Sequence, residues 1–111
     1  MSIEYEQLAF DGEAIRDTSA HWSTLLDNRG YKLKTIIVEN GLNQTVSLEC
    51  WASRHSDFSH PFIIGASFDI TASTDDYQTC DSYFPYMKVK ATCGTAPTTG
   101  SLTIVFESIG D

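Results

Sequence analysis

Apolar residues recur at every second position over much of this chain, the period of half-buried β-strands rather than of helices. The clearest run is Phe62, Ile64, Ala66, Phe68, Ile70 and Ala72, with Ile63, Gly65, Ser67, Asp69, Thr71 and Ser73 opposite. A helix would scatter the first six around its circumference, whereas a strand gathers them on one face. Val46, Leu48, Cys50 and Ala52 likewise point one way, and Ser47, Glu49 and Trp51 the other. Met87, Val89, Ala91 and Cys93 alternate with Lys88, Lys90 and Thr92. Leu102, Ile104 and Phe106 alternate with Thr103, Val105 and Glu107. Between Tyr31 and Glu39, Leu33, Thr35 and Ile37 oppose Ile36 and Val38, so both faces are partly apolar and the strand reads as well covered. Ile3 and Tyr5, with Leu8 and Phe10 beyond them, suggest a short first strand facing inward.

The intervals carry turn formers. Asn40-Gly41 is a strong hairpin signal. Residues 53–61 read as a polar loop, 73–85 as a long turn-rich excursion and 94–100 as a compact connection. In residues 11–30, Asp17-Thr18-Ser19 is placed to cap one helical turn through Leu26, and extended loop fits equally. The expected fold is all-β: one domain over 1–111, an antiparallel β-sandwich of about seven to eight strands, jelly-roll or immunoglobulin-like. Residues 1–30 either form an N-terminal arm that adds a strand to a neighbour or fold back onto this domain's own sheet. Phe62 to Ala72, Met87 to Cys93 and Leu102 to Phe106 are assigned to the core.

Composition narrows the function. With 111 residues, 41% hydrophobic and 20% charged, the chain is globular and can build a core without staples. Seven basic against 15 acidic residues leave a net charge of −8, which repels nucleic acid and anionic membranes. MSIEYEQLAF has neither the basic nor the apolar region of a signal peptide, so synthesis in a cytosol is expected, with release by a route such as lysis. Cys50, Cys80 and Cys93 form no metal-binding spacing. Buried free thiols in a reducing compartment fit them, and one disulfide such as Cys80–Cys93 is the alternative.

Catalytic templates find little support. His21, His55 and His60 stand among many serines, but no G-x-S-x-G elbow exists. His55-Ser56-Asp57 with His60 is the best zinc candidate, and it lacks the helix or cysteine framework such pairs use. Asp57, Asp75, Asp76 and Asp81 sit in loops where calcium is conceivable, yet no D-x-D-x-D-G pattern occurs. No enzyme activity, metal or cofactor is therefore expected. Outward residues carry more information. Trp51 lies opposite Leu48 and Cys50, Trp22 lies in the 11–30 segment, and Tyr77, Tyr83, Phe84 and Tyr86 gather around Pro85. These aromatics suit closure of the sandwich ends, a protein–protein interface or, less well, a carbohydrate-stacking platform. Lys32, Lys34, Lys88 and Lys90 alternate in two pairs and make a basic stripe if their strands are neighbours. Its natural target is an acidic protein surface; otherwise the lysines are solvated strand faces or guards against edge pairing.

The stretches YKLKTIIVENGLNQTVSLECWAS, FIIGASFDITASTDDY, FPYMKVKAT and APTTGSLTIVFE together resemble small β-sandwich structural proteins of tailed bacteriophages. The shared features are a strand ending at Glu39-Asn40-Gly41, the step Phe84-Pro85-Tyr86 into Met87-Lys88-Val89-Lys90-Ala91, and a final hairpin at Ala96 to Leu102. The resemblance covers roughly residues 31–107 and its motifs are structural. It implies a virion component: a capsid decoration protein, head-fibre base, or neck or tail accessory protein. The implied partners are further copies of the chain, as trimers or another symmetric oligomer, and virion proteins such as the major capsid protein. The three cysteines depart from the pattern, where small or apolar residues are usual. A carbohydrate-binding module is the alternative function.

Overall fold

The computed structural model describes residues 3–29, 33–80 and 84–110; the side chains of residues 3–5, 33, 80 and 110 lie outside that description. Nine strands and no helix occur among the described residues. They are β1 (Ile3–Glu13), β2 (His21–Trp22), β3 (Leu26–Asp27), β4 (Leu33–Asn40), β5 (Val46–Ser53), β6 (Phe62–Ile70), β7 (Thr74–Cys80), β8 (Tyr86–Cys93) and β9 (Leu102–Gly110).

Sheet A has the order β1-β9-β4-β7, and sheet B the order β2-β8-β5-β6 with β3 also on β8. Every pairing is antiparallel. The pairings nest: β1 with β9, β2 and β3 with β8, β4 with β7, β5 with β6. One long hairpin wrapped into two sheets gives this order, which is the jelly roll, with β2 and β3 acting as one interrupted strand.

The alternation in the sequence lands where a sandwich needs it. Val46, Leu48 and Ala52 of β5, Met87, Val89, Ala91 and Cys93 of β8, and Leu102, Ile104 and Phe106 of β9 are buried between the sheets. Ile36 and Val38 of β4 join them, while Thr35 and Ile37 face outward and are half-buried.

Several expectations change. β4 and β5 lie in different sheets, so Asn40-Gly41 is a crossing between sheets and not a hairpin. Asn40 is the cause. Its buried Nδ2 donates to the carbonyls of Gln44 (3.2 Å), Ile70 (3.1 Å) and Thr71 (3.2 Å), and its Oδ1 accepts from the Leu42 N–H (3.1 Å). Leu42 thereby drops into the core, and its carbonyl accepts from the Ser73 N–H at 3.1 Å. The connection from β8 to β9 crosses between sheets too, so residues 96–102 are not a hairpin. It locks onto the first crossing: Gly41 N–H donates to the Ser101 carbonyl at 2.8 Å. Gly100, at φ +88°, passes so close that a Cβ there would lie 1.8 Å from the Gly41 carbonyl oxygen.

The 73–85 excursion contains β7, an edge strand paired with β4 from Thr74 to Cys80. Its described side chains are all exposed, so no alternation announced it. β6 is a strand as expected, but it is the edge of sheet B and only Ile70 is fully buried; Phe62 is 44% exposed. Its assignment to the core is thus corrected at Phe62 and Ala66, which are exposed, while Ile64 and Phe68 are partly buried against the core. The register jumps between Leu48↔Phe68 and Cys50↔Ile64, with Gly65 at φ +68° in the extra stretch. Residues 11–29 form no helical turn. Asp17 Oδ1 instead accepts from the Ser19 N–H (3.2 Å), which bends the chain toward β2. β1 runs along β9 of the same chain. A register shift after Leu8 turns that residue outward while Phe10 stays buried, so the two do not share a face. Cys93 is a buried free thiol, which removes a Cys80–Cys93 bridge, and Cys50 is buried.

Candidate functional site

Cross-strand neighbours in an antiparallel sheet project to the same side. On the outer side of sheet B, Lys88 of β8 pairs with Trp51 of β5, and Trp51 pairs with Ile63 of β6. One step along, Trp22 of β2 pairs with Lys90, and Lys90 with Glu49. Five strand positions and Glu49 thus converge on one face, although Trp22 and Trp51 are far apart in sequence.

The side chains interlock. The Trp22 and Trp51 ring centroids are 5.6 Å apart at an interplanar angle of 67°, edge to face. Phe58 comes in from the 54–61 loop to 6.4 Å from Trp22, also edge on. Lys90 Nζ lies 5.6 Å from the Trp22 centroid and 5.9 Å from that of Trp51, and Lys88 Nζ lies 5.0 Å from that of Phe58. Ring faces attract ammonium groups at such distances. Glu49 holds the arrangement, accepting from Trp51 Nε1 at 3.3 Å and meeting Lys90 Nζ at 3.6 Å. Trp22 remains 45% exposed, and Ile63 is exposed beside Trp51.

The loop carrying Phe58 is built for that placement. Ser53 Oγ donates to the Ser59 carbonyl at 2.5 Å and accepts from the His55 N–H at 3.1 Å. The Phe58 N–H reaches the His55 carbonyl at 3.0 Å, and Phe58 adopts φ +60°. Asp57 accepts from Ser59, and that bond holds its carboxyl below the usual carboxylate range. The sequence hid Phe58 inside a polar loop; a lone aromatic there was the available signal.

The remaining candidates lie elsewhere. Lys34 is only 2% exposed and belongs to β4 in sheet A, so it does not extend a stripe with Lys88 and Lys90 in sheet B. Tyr77 is exposed on β7. Phe84 packs edge to face on Phe62 at 5.4 Å, and Tyr86 is buried with the Arg29 guanidinium 5.4 Å from its ring centre. Lys32, Tyr83 and Asp81 lie outside the described residues. The His55 and His60 rings are 5.9 Å apart, but among the described residues no group of three His, Cys, Asp or Glu is placed to hold a metal ion. Asp75 and Asp76 are on β7 rather than in a loop.

No protein-family model and no curated protein sequence matches the chain. Solved structures do share its fold. The PBSX exported protein XepA superposes with a TM-score of 0.70 at 13% identity, over 96% of this chain and 37% of XepA. The SPBc2 prophage-derived protein YomS gives 0.63 at 8% identity, over 99% of this chain and 96% of YomS. The tobacco streak virus coat protein gives 0.55 at 7% identity, over 99% and 86%. The chain therefore has the small β-sandwich fold found in prophage-derived and viral coat proteins, and it spans little more than a third of XepA.

Proposed function

We propose that the protein is a non-enzymatic structural component of a phage-like virion. It acts through protein–protein contacts, as a capsid decoration protein or a head, neck or tail accessory, and it resides in the particle after synthesis in the host cytoplasm. The observation that carries this reading is the Trp22–Trp51–Phe58 face with its two lysines, on a jelly roll shared with prophage-derived and coat proteins. Tryptophan and phenylalanine are enriched at interface centres, which a polar rim surrounds. The partners on this reading are further copies of the chain and virion proteins such as the major capsid protein.

A carbohydrate-binding module is the second reading, favoured by the exposure of Trp22 beside Trp51. Against it, sugar stacking needs an open ring face, and here Lys90 lies beside both indoles while the rings meet edge on. Co-sedimentation with capsids and tails of the encoding phage separates the two. The wild-type chain should pellet with particles and Trp22→Ala/Trp51→Ala should not, while simple sugars leave tryptophan fluorescence unchanged. A wild-type chain that stays in the supernatant with both capsids and tails would sink the virion reading.

A further inference from the structure

The two outer faces of the sandwich differ in charge: among the described residues only the sheet B face carries lysines. On sheet A the registers align Leu8, Val105, Ile37 and Tyr77 into one outward row across all four strands. Leu8 is 45% and Tyr77 64% exposed, so the row is an apolar stripe open to solvent. Carboxylates flank it on both sides: Glu6 and Glu107 on one, Glu39 and Asp75 on the other. Glu6 and Glu107 are direct cross-strand partners, and like charges so placed destabilise a sheet. Among the described residues no lysine or arginine stands on this face, since Lys34 is on the inner side of β4. Sheet B presents aromatic rings with Lys88 and Lys90 among them; Glu49 meets Lys90, and Asp69 bonds Ser47 toward the β6 edge. Among the described residues Lys88 makes no ion pair.

We propose that copies of this chain associate head to tail, the lysine–tryptophan face of one molecule seated on the carboxylate-rimmed apolar row of the next. The inference rests on sheet B's face being a protein-binding surface and adds the identity of an occupant. Charge complementarity selects it: the incoming ammonium groups relieve the Glu6–Glu107 repulsion, and the aromatics cover Leu8 and Tyr77. Pairing like faces instead would bring carboxylates onto carboxylates. The molecule measures 43 × 30 × 21 Å, so a broad face has room for the ~800 Å² per partner of a standard interface. Such a contact is heterologous, leaving one face of each copy free, and propagates into a closed ring or an open stack.

Light scattering and sedimentation velocity on the full chain, at ~0.05 M and ~0.5 M salt, test this. Concentration-dependent association is expected at low salt and weaker association at high salt. Lys88→Glu/Lys90→Glu alone and Glu6→Lys/Glu107→Lys alone should each associate about 100-fold more weakly. Their equimolar mixture should associate again, because every junction between the two variants is complementary. Circular dichroism checks that both fold; if either does not, Tyr77→Ala and Trp22→Ala remove contact area without reversing charge and should each weaken association. A wild-type monomer at about 0.1 mM in low salt overturns the proposal. So does association that both charge variants retain, or a mixture of folded variants that stays monomeric. A monomer that still binds particles through Trp22 and Trp51 defeats the head-to-tail contact alone, whereas self-association without particle binding defeats the virion reading alone.

Discussion

Replacing Asn40 with alanine tests whether one side chain holds two connections of the sandwich together, the β4–β5 crossing and the turn after β6. Asn40 is buried, with its amide within 3.1–3.2 Å of the Gln44, Ile70 and Thr71 carbonyls and the Leu42 N–H. An amide nitrogen has two protons, so two carbonyls are fully served at a time. Three hydrogen bonds at ~1 kcal/mol each give a loss of about 3 kcal/mol. The two anchoring residues on the 70–71 side belong to the end of β6 and the turn after it, so the loss reaches both sheets. A domain of this size is stable by roughly 5–15 kcal/mol, so the effect is large and should lower the melting temperature by about 12 °C or more. Urea unfolding followed by tryptophan fluorescence measures it, with an unchanged slope expected. Asn43 provides the control: it bonds Thr98 through Oδ1 (3.0 Å) and Nδ2 (2.7 Å) but is exposed, so Asn43→Ala should cost under ~1 kcal/mol. Asn40→Asp keeps the acceptor for Leu42 but turns a carboxylate on the carbonyls, and should be no more stable than the alanine variant. Equal, small losses at positions 40 and 43 would refute the reasoning.

Gly100→Ala should destabilise more than a surface substitution, since its Cβ would meet backbone at 1.8 Å and φ is +88°; an unchanged thermal melt contradicts that. Cys93 is buried, and burial raises its pKa, so a thiol reagent should label it slowly in the native protein and quickly in urea; rapid native labelling contradicts the packing. The Arg29 side chain donates to both Asp27 oxygens (3.0 and 2.7 Å) and holds the Asp27 carboxyl below its ordinary value. A depressed carboxylate contributes fully above about pH 4 and loses that contribution as pH falls through its folded value, so Asp27→Asn should flatten the acid limb of stability and leave the neutral region little changed. An unaltered acid limb would show that the pair contributes nothing.

How much of this was legible in the sequence depended on burial. β5, β8 and β9 are inner strands, paired on both sides, and their period of two is the direct record of one face packed and one face outward. β7 left no such record because an edge strand that exposes its described side chains needs only backbone bonds to β4. β6 misled in the opposite sense: Phe62 and Ala66 alternate like core residues and are exposed, since sheet B ends there. Asn40-Gly41 carries a hairpin's residues, yet the long-range bonds of Asn40 to Ile70 and Thr71 send the chain to the other sheet. Turn chemistry is local; the destination of the strand after it is not.

The candidate site divides along the same line. The outward position of Trp51, Lys88 and Lys90 follows from alternation, because their neighbours in sequence fill the core. That Lys88 and Lys90 flank Trp51 and Trp22 follows only from register, which places β8 between β5 and β2. The acid rows of sheet A are a sharper case. Glu6 and Glu107 lie near opposite ends of the chain and look like unrelated solvated charges. Nesting of β1 on β9 makes them partners, and the absence of a cation on that face among the described residues turns a net charge of −8 into a directional one. A sandwich needs only its inner faces to fold. On the proposed head-to-tail contact, Trp22 and Tyr77, left open on the two outer faces, serve what the molecule contacts rather than what holds it together.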